Sequence, residues 1–324
     1  MAVYNTKDNY LKEAISSVFE LNYDNYEFII IDDGSNLQTK NILKEYENNC
    51  TVIHQENKGI SASRLLGLKQ AKGDYIVFLD SDDHIDKEGL NVLNEIILKN
   101  NPDVVMYDPP RYLDDYTKTE FRNKFFEEGI IEKDEVLKQL CLLHINCIGD
   151  KFVKREFYND MEKEIDTSFI VGEDVQQSTY IVLKANTFYY TDYPIEYYRL
   201  NLIKREYYNA KYINDINFPI PPYKMLFEKN TSYRYLLPFF KKAVTNSVIY
   251  SSFKVCKTKA TFKEKKEILN NINELEIIKV LLSIKEKTPI ITTILFYLLV
   301  KKHYFLLYIA ATIYNMIFKL DNLY

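Results

Sequence analysis

Short apolar runs rich in β-branched residues alternate with helix-length amphipathic stretches through the first 107 residues, and this alternation restricts the fold more than any other feature. Glu27-Phe28-Ile29-Ile30-Ile31, Thr51-Val52-Ile53, Tyr75-Ile76-Val77-Phe78-Leu79 and Val104-Val105-Met106-Tyr107 are short and continuously apolar. They predict strands covered on both faces. Between them, Leu11, Ile15 and Val18 recur at helical spacing after Asp8, a candidate N-cap. Residues 37–47, 60–71 and 87–99 also predict helices. Strands alternating with helices of this length predict an α/β fold with a parallel, doubly wound sheet. Ligands of such sheets bind beyond the carboxyl ends of the strands. Both acidic clusters, Asp32-Asp33 and Asp80-Ser81-Asp82-Asp83, fall at such ends.

The rest of the chain differs in character. Residues 108–133 are charged, aromatic and weakly patterned, as expected of a variable insertion or lid. Beyond about residue 205 the strand signals fade and helices are expected. Residues 1–200 hold 22 Lys+Arg against 37 Asp+Glu, a net −15, whereas residues 201–324 hold 20 against 9, a net +11. A basic, apolar C-terminal part suits an anionic membrane surface, or is a helical tail with solvated lysines. Two apolar runs, 290–300 and 305–318, are each shorter than the ~20 residues that cross a bilayer. They predict either interfacial helices or the core of a small bundle. Cys50, Cys141, Cys147 and Cys256 show no metal-ligand spacing and read as reduced cytosolic thiols. The opening residues lack the pattern of a secretory leader.

Strand-end carboxylates suit one chemistry in particular. Transfer of a sugar from a nucleoside diphosphate builds negative charge on the departing diphosphate, and a divalent cation bridging its oxygens stabilises that charge. Mg²⁺ and Mn²⁺ favour oxygen ligands, and Mg²⁺ needs only one or two carboxylates beside phosphates and water. An isolated D-x-D is more often an Asx-turn or a helix cap, so its company decides.

That company is Ile29-Ile30-Ile31-Asp32-Asp33-Gly34-Ser35, then Asn57-Lys58-Gly59 with Ser61, Ala62 and Arg64, then Gly73-Asp74-Tyr75-Ile76-Val77-Phe78-Leu79-Asp80-Ser81-Asp82-Asp83, preceded by Ala2-Val3-Tyr4-Asn5. In this order the chain resembles the family 2 inverting glycosyltransferases of bacterial polysaccharide biosynthesis, which have the GT-A fold. The likeness is specific over residues 1–107 and looser to about 200. It implies a GT-A domain over residues 1–205, Rossmann-like and mostly parallel, followed by a helical extension over 206–324. By this resemblance Tyr4 lies against a uracil ring and Asp33 accepts a hydrogen bond from the base. Arg64 lies near the nucleotide or orders its loop. Asp80 reaches the ribose or the metal shell, Asp82 is the metal ligand proper and Asp83 is nearby. Asp32 either contacts the ligand or orients its turn, and Ser35 caps the helix starting near Leu37.

An acceptor hydroxyl must also lose its proton to a base. Val171-Gly172-Glu173-Asp174, opening a helical stretch, resembles the family's acidic pair, with Asp174 as general base and Glu173 as support or acceptor contact. Acidic residues at a helix start are also favoured by the helix dipole without any catalysis. Asp150-Lys151-Phe152-Val153-Lys154-Arg155 resembles the stretch preceding this pair, and Lys151 either lies near the donor or holds the loop.

The resemblance implies a UDP-sugar donor, Mg²⁺ or Mn²⁺, and a saccharide or lipid-linked acceptor. It places the protein in the cytoplasm, or on the inner face of the cell membrane, in capsule or other surface-polysaccharide synthesis. Three departures stand out. The chain has only Met1 ahead of Ala2-Val3, so the first strand is short; Leu65 follows Arg64 where the family has Asn; and no clear small-residue loop follows Tyr197-Tyr198-Arg199. The short first strand favours, as the alternative, a non-catalytic nucleotide-sugar-binding or assembly subunit with a degenerate GT-A fold. A haloacid-dehalogenase-like phosphotransferase also carries D-x-D after a strand, but Asp83 would repel its phosphoester. No G-x-G-x-x-G follows the first strand, which disfavours a Rossmann oxidoreductase. The acidic first half and the lack of a recognised motif in the basic region disfavour nucleic acid as partner.

Overall fold

The computed structural model describes residues 1–112, 118–120, 124–169, 172–200 and 210–318. The chain forms two compact units, one of residues 1–136 with 146–203 and the other of residues 137–145 with 204–324. The expected boundary near residue 205 lies outside the described residues.

The first unit begins with β1 (Ala2–Val3), α1 (Asp8–Phe19), β2 (Ile29–Asp33), α2 (Leu37–Lys44), β3 (Thr51–Gln55) and α3 (Ile60–Gln70). β1, β2 and β3 form a parallel sheet in that order, with Val3 opposite Asp32 and Asp33 opposite Gln55. Ile30 lies against Val3, Leu11, Ile15, Ile42 and Leu43, which fixes α1 and α2 on this sheet. Each such aliphatic side chain contributes about 1.5–3 kcal/mol when fully buried.

β4 (Tyr75–Ile76), β5 (His84–Ile85), α4 (Gly89–Asn100), β6 (Val104–Tyr107), β7 (Arg111–Tyr112), β8 (Lys118–Glu120) and β9 (Gly129–Ile131) follow. After α5 (Lys133–Cys141) come β10 (Lys151–Lys154), α6 (Glu173–Lys184), β11 (Phe188–Thr191) and β12 (Glu196–Arg199). A second sheet has the order β4-β10-β6-β11-β9, and a third β5-β12-β7-β8. β6 and β11 are parallel, whereas β10 lies antiparallel between β4 and β6. The α/β class with a substantial parallel component therefore holds, but the second and third sheets are mixed.

Three local expectations change. Phe78 and Leu79 are buried at 7% and 6% exposure, yet only Tyr75–Ile76 pairs in a ladder, because an apolar run signals burial whether or not a neighbouring strand is present. Asp8 is the first helical residue of α1 and Lys7 is the cap; the Asp8 carboxylate accepts from Gln38 instead. Asn36 caps α2 by accepting from Thr39 N, while Ser35 accepts from Asn5 N and donates to Val3 O. Within the segment expected to be an insertion, the described residues include β7, β8 and β9; residues 113–117 and 121–123 lie outside them.

The second unit is helical over its described residues: α7 (Ile220–Tyr223), α8 (Leu237–Lys257), α9 (Phe262–Glu274), α10 (Glu276–Ser283), α11 (Ile290–Val300) and α12 (Tyr304–Phe318). Phe240, Val244, Val248 and Phe253 line the buried side of α8. Thr261 and Glu264 form a capping box that satisfies the free N–H groups at the start of α9. The apolar runs are α11 and α12, of 11 and 15 residues, and among the described residues no helix is long and apolar enough to cross a membrane. All four cysteines are free.

Candidate active site

The end of β2 supplies two carboxylates that the fold uses differently. Asp32 is fully buried and accepts from Ser35 N at 2.9 Å and from His54 Nδ1 at 2.7 Å. Burial pushes its pKa up, but these hydrogen bonds outweigh it and hold the group below the usual carboxylate range. Asp32 thus orients the turn. Asp33 accepts at Oδ1 from Gln55 Nε2 and Lys58 N, both at 2.8 Å, and at Oδ2 from Gly59 N at 2.8 Å. It fixes the loop that leads into α3. Gly34, at φ +76°, is needed here, since a Cβ would lie 2.7 Å from Asn57 N.

The tip of β2 is tied to the acidic turn through residues 5 and 6. Asn5 N donates to Ser35 Oγ at 3.2 Å, and Thr6 Oγ1 lies 2.6 Å from Ser81 Oγ. Tyr4, immediately before this link, is 55% exposed, leaving its ring open for stacking.

Arg64 gathers the site. Its side chain is 3% exposed and lies over Phe78. Nη2 donates to Asp80 Oδ1 at 3.3 Å, and Nη1 donates to Asp174 Oδ1 and lies 3.8 Å from Glu173 Oε1. Burial alone would favour a neutral side chain, but Asp174, Asp80 and Glu173 together keep the guanidinium charged. Glu173 and Asp174 form the first turn of α6 behind Gly172 at φ +83°, where the helix dipole favours negative charge. Gln177, one turn on, donates to Ser61 Oγ of α3 at 3.4 Å. Burial, then Asp174, pushes the Glu173 carboxyl up to about 7. Val171 lies outside the described residues.

The acidic turn rests on β12. Asp83 N donates to Asp80 O at 3.2 Å, closing the turn. Asp83, 2% exposed, accepts from Arg199 N at 2.7 Å, and Arg199 Nε donates to Asp82 O at 2.8 Å. The Arg199 guanidinium pairs with Glu13 and sits 4.2 Å and 4.8 Å from the ring centres of Tyr10 and Tyr112. Burial, then Asp80 and Asp82, raises the Asp83 carboxyl well above its ordinary value. Glu196, buried beneath, is raised likewise by burial and by Asp83, Asp80 and Asp150. Sequence reasoning named Arg199 only as the end of Tyr197-Tyr198-Arg199 and missed its role as the clamp of this turn; its signal was a lone cation ending an aromatic run.

Arg64 therefore brings Asp80, Glu173 and Asp174 into direct contact, with Asp82 and Asp83 in the same turn and Tyr4 linked through Thr6. Lys151 is different: it is fully buried, with Nζ donating to Asp150 Oδ1 at 2.5 Å and to Cys147 O. For a divalent cation the donor chemistry fits, since Asp80 and Asp82 offer hard oxygens from a partly open turn while Asp83 faces inward. Among the described residues no three His, Cys, Asp or Glu side chains form a ready-made metal cage. One or two carboxylates suffice where phosphate oxygens complete the shell.

This fold is that of the GT-A class. The family model described as Glycosyl transferase family 2 matches residues 1–161, so the first half of the chain is similar to that family. Glycosyltransferase GlyG of Streptococcus pneumoniae is 35% identical over 108 residues, covering 32% of this chain and 36% of GlyG. Minor teichoic acid biosynthesis protein GgaB of Bacillus subtilis is 30% identical over 191 residues, covering 56% of this chain and 20% of GgaB. The chain thus spans well under half of either relative. The crystal structure of S. aureus TarS 1-349 in complex with UDP-GlcNAc superposes with a TM-score of 0.67 at 18% identity, over 84% of this chain and 78% of that one, and so shares the fold.

Proposed function

We propose that the protein transfers a sugar from a nucleoside diphosphate, UDP in particular, to a hydroxyl of a saccharide or lipid-linked acceptor with inversion, in capsule or other surface-polysaccharide synthesis at the inner face of the cell membrane. The observation that carries this reading is the Arg64 guanidinium, which joins the acidic turn at Asp80 to the Glu173–Asp174 pair. UDP-GlcNAc bound to TarS, which has the same fold, supports the choice of donor.

In this reading Tyr4 stacks on the uracil ring. A carboxylate has about four acceptor sites, and Asp33 uses three within the chain, leaving one on Oδ2 for an N–H of the base. Asp80 and Arg64 meet the ribose and diphosphate, and Lys151 supports the donor site from the interior. Asp82 and Asp80, with Asp83 behind them, would hold a Mg²⁺ or Mn²⁺ ion, which when bound would supply neutralisation of the leaving diphosphate. Asp174 takes the acceptor's hydroxyl proton as the new oxygen–anomeric carbon bond forms and the bond to the diphosphate breaks, its electron pair leaving with UDP. Glu173 holds Asp174 in a site where the carboxylates compete for one guanidinium.

Asp174→Asn preserves the hydrogen-bonding shape and removes the base. Transfer from a radiolabelled UDP-sugar should fall to background while UDP-sugar binding stays within about twofold, since the donor contacts persist. Turnover at the parent rate would take Asp174 out of the role. Donor binding without turnover in the parent protein would favour the non-catalytic alternative.

A further inference from the structure

Helices of a water-soluble bundle turn their charged residues outward and their apolar stripe inward. α11 and α12 instead present apolar side chains outward. On α11, Ile290, Ile291, Ile294 and Tyr297 are exposed at 78%, 71%, 54% and 54%, and their spacing puts them on one face. On α12, Phe305, Leu306, Ile309 and Ile313 are exposed at 65%, 51%, 40% and 51%, again on one face. The bundle is already filled by the opposite sides of these helices, through Leu299, Tyr304, Leu307 and Ala311, all buried.

The two helices form a fixed scaffold. Lys302, at φ +61°, turns the chain between them. Tyr304 Oη donates to Asn270 Oδ1 at 2.8 Å and accepts from Asn273 Nδ2 at 2.9 Å, and Asn273 Nδ2 also donates to Leu299 O at 2.7 Å. Thr292 Oγ1 donates to Asn246 Oδ1 at 3.0 Å. The outward face is thus pinned to α8 and α9 rather than free to fold back.

Charge selects what this face meets. Residues 287–318 contain no Asp or Glu, but carry Lys287, Lys301 and Lys302. Beside the turn a cleft of about 310 Å³ is lined by Phe262, Lys266, Lys302, His303 and Phe305 among others, aromatic in its walls and cationic at its rim. Lys302 lies 3.9 Å from Glu274 at the exposed end of α9, but the α11–α12 stretch itself offers no carboxylate, so a two-fold copy would set its lysines against one another. Helices this short do not span a bilayer, but an apolar face bordered by lysines suits the headgroup boundary.

We propose that the α11–α12 hairpin is a docking surface for an anionic phospholipid membrane, lying in the headgroup layer with its apolar face toward the acyl chains and a lipid phosphate in the cleft at its turn. The surface gives a physical basis to the membrane placement in the proposed function, and stands apart from the chemistry of transfer. The test is co-sedimentation of the full chain with phosphatidylcholine vesicles, with and without a quarter phosphatidylglycerol. Binding should be at least about tenfold tighter to the anionic vesicles, and should weaken in high salt. The double variant Ile291→Asp/Phe305→Asp should lose binding to both vesicle types, and Lys266→Glu/Lys302→Glu only the anionic preference. These residues are exposed, so thermal unfolding and UDP binding should match the parent. Failure of the parent to bind UDP would strike the transfer reading alone. Three results would overturn the docking surface: no vesicle binding, equal binding to neutral and anionic vesicles, or self-association that the aspartate pair abolishes.

Discussion

Arg64→Met keeps the length of a long side chain and removes its charge. Stranding a buried charge costs about 3–5 kcal/mol. Here the partners retain some contact with water, with side-chain exposures of 39% for Asp80, 14% for Glu173 and 27% for Asp174. Glu173 can also take up a proton, so the loss should be nearer about 2–3 kcal/mol at slightly alkaline pH. At about 2–4 °C per kcal/mol for a domain of this size, the unfolding midpoint should fall by roughly 5–10 °C. The pH dependence has a definite sign. The Glu173 carboxyl already stands at about 7 against an ordinary 4.5, and loss of the guanidinium raises it further. A carboxyl raised by folding binds more protons in the folded state, so its stability is full below the unfolded pKa and is lost as pH rises through the folded one. The deficit of the variant should therefore be smaller near about pH 5 than near about pH 8. Thermal unfolding followed by circular dichroism at both values measures it. Equal midpoints for variant and parent, or a larger deficit in acid, would refute the view that Arg64 is the electrostatic centre of the site.

Glu173→Gln relieves Asp174 of its negative neighbour. The acid limb of kcat/KM for transfer, expected near pH 7 from the Glu173 carboxyl, should move to lower pH in the variant, and a limb that stays in place would remove the pair from control of the rate. Asp82→Ala should weaken Mn²⁺-dependent UDP binding by at least about tenfold while leaving metal-free binding unchanged, as titration calorimetry with and without chelator would show. Metal-dependent binding of parental strength would shift the ligand role to Asp80 and Asp83.

How much of this was legible in the sequence depended on whether local pattern or distant partners set the outcome. Ile29-Ile30-Ile31 and Val104-Val105-Met106-Tyr107 form strands as their β-branched, short runs predict. Asp32-Asp33 ends β2 as expected, whereas Asp80-Ser81-Asp82-Asp83 follows β4 only after a stretch that pairs in no ladder. Phe78 and Leu79 share the same apolar signal but lack a ladder, since pairing needs a neighbour that periodicity does not encode. The antiparallel insertion of β10 between β4 and β6 depends on contacts across some fifty to eighty residues, out of reach of any local reading. Helix starts were displaced by one residue, at Lys7 and Asn36, because several polar side chains nearby compete for the same free N–H groups. Arg64 was singled out as near the nucleotide or ordering its loop, but its three carboxylate partners come from two separate stretches, and only their packing shows that they share one cation. Lys151 could have lain beside the donor or held its loop; the fold buries it against Asp150.

Arg199 reaches the acidic turn from 117 residues further along the chain. A fragment ending at residue 161, where the family match stops, would retain every carboxylate of that turn and the whole β1–β3 sheet. It would lack both the strand that holds the turn in place and the helix start that bears Asp174. The piece of chain that keeps this turn in place therefore runs at least to the tether at residue 199, well past the end of the family match.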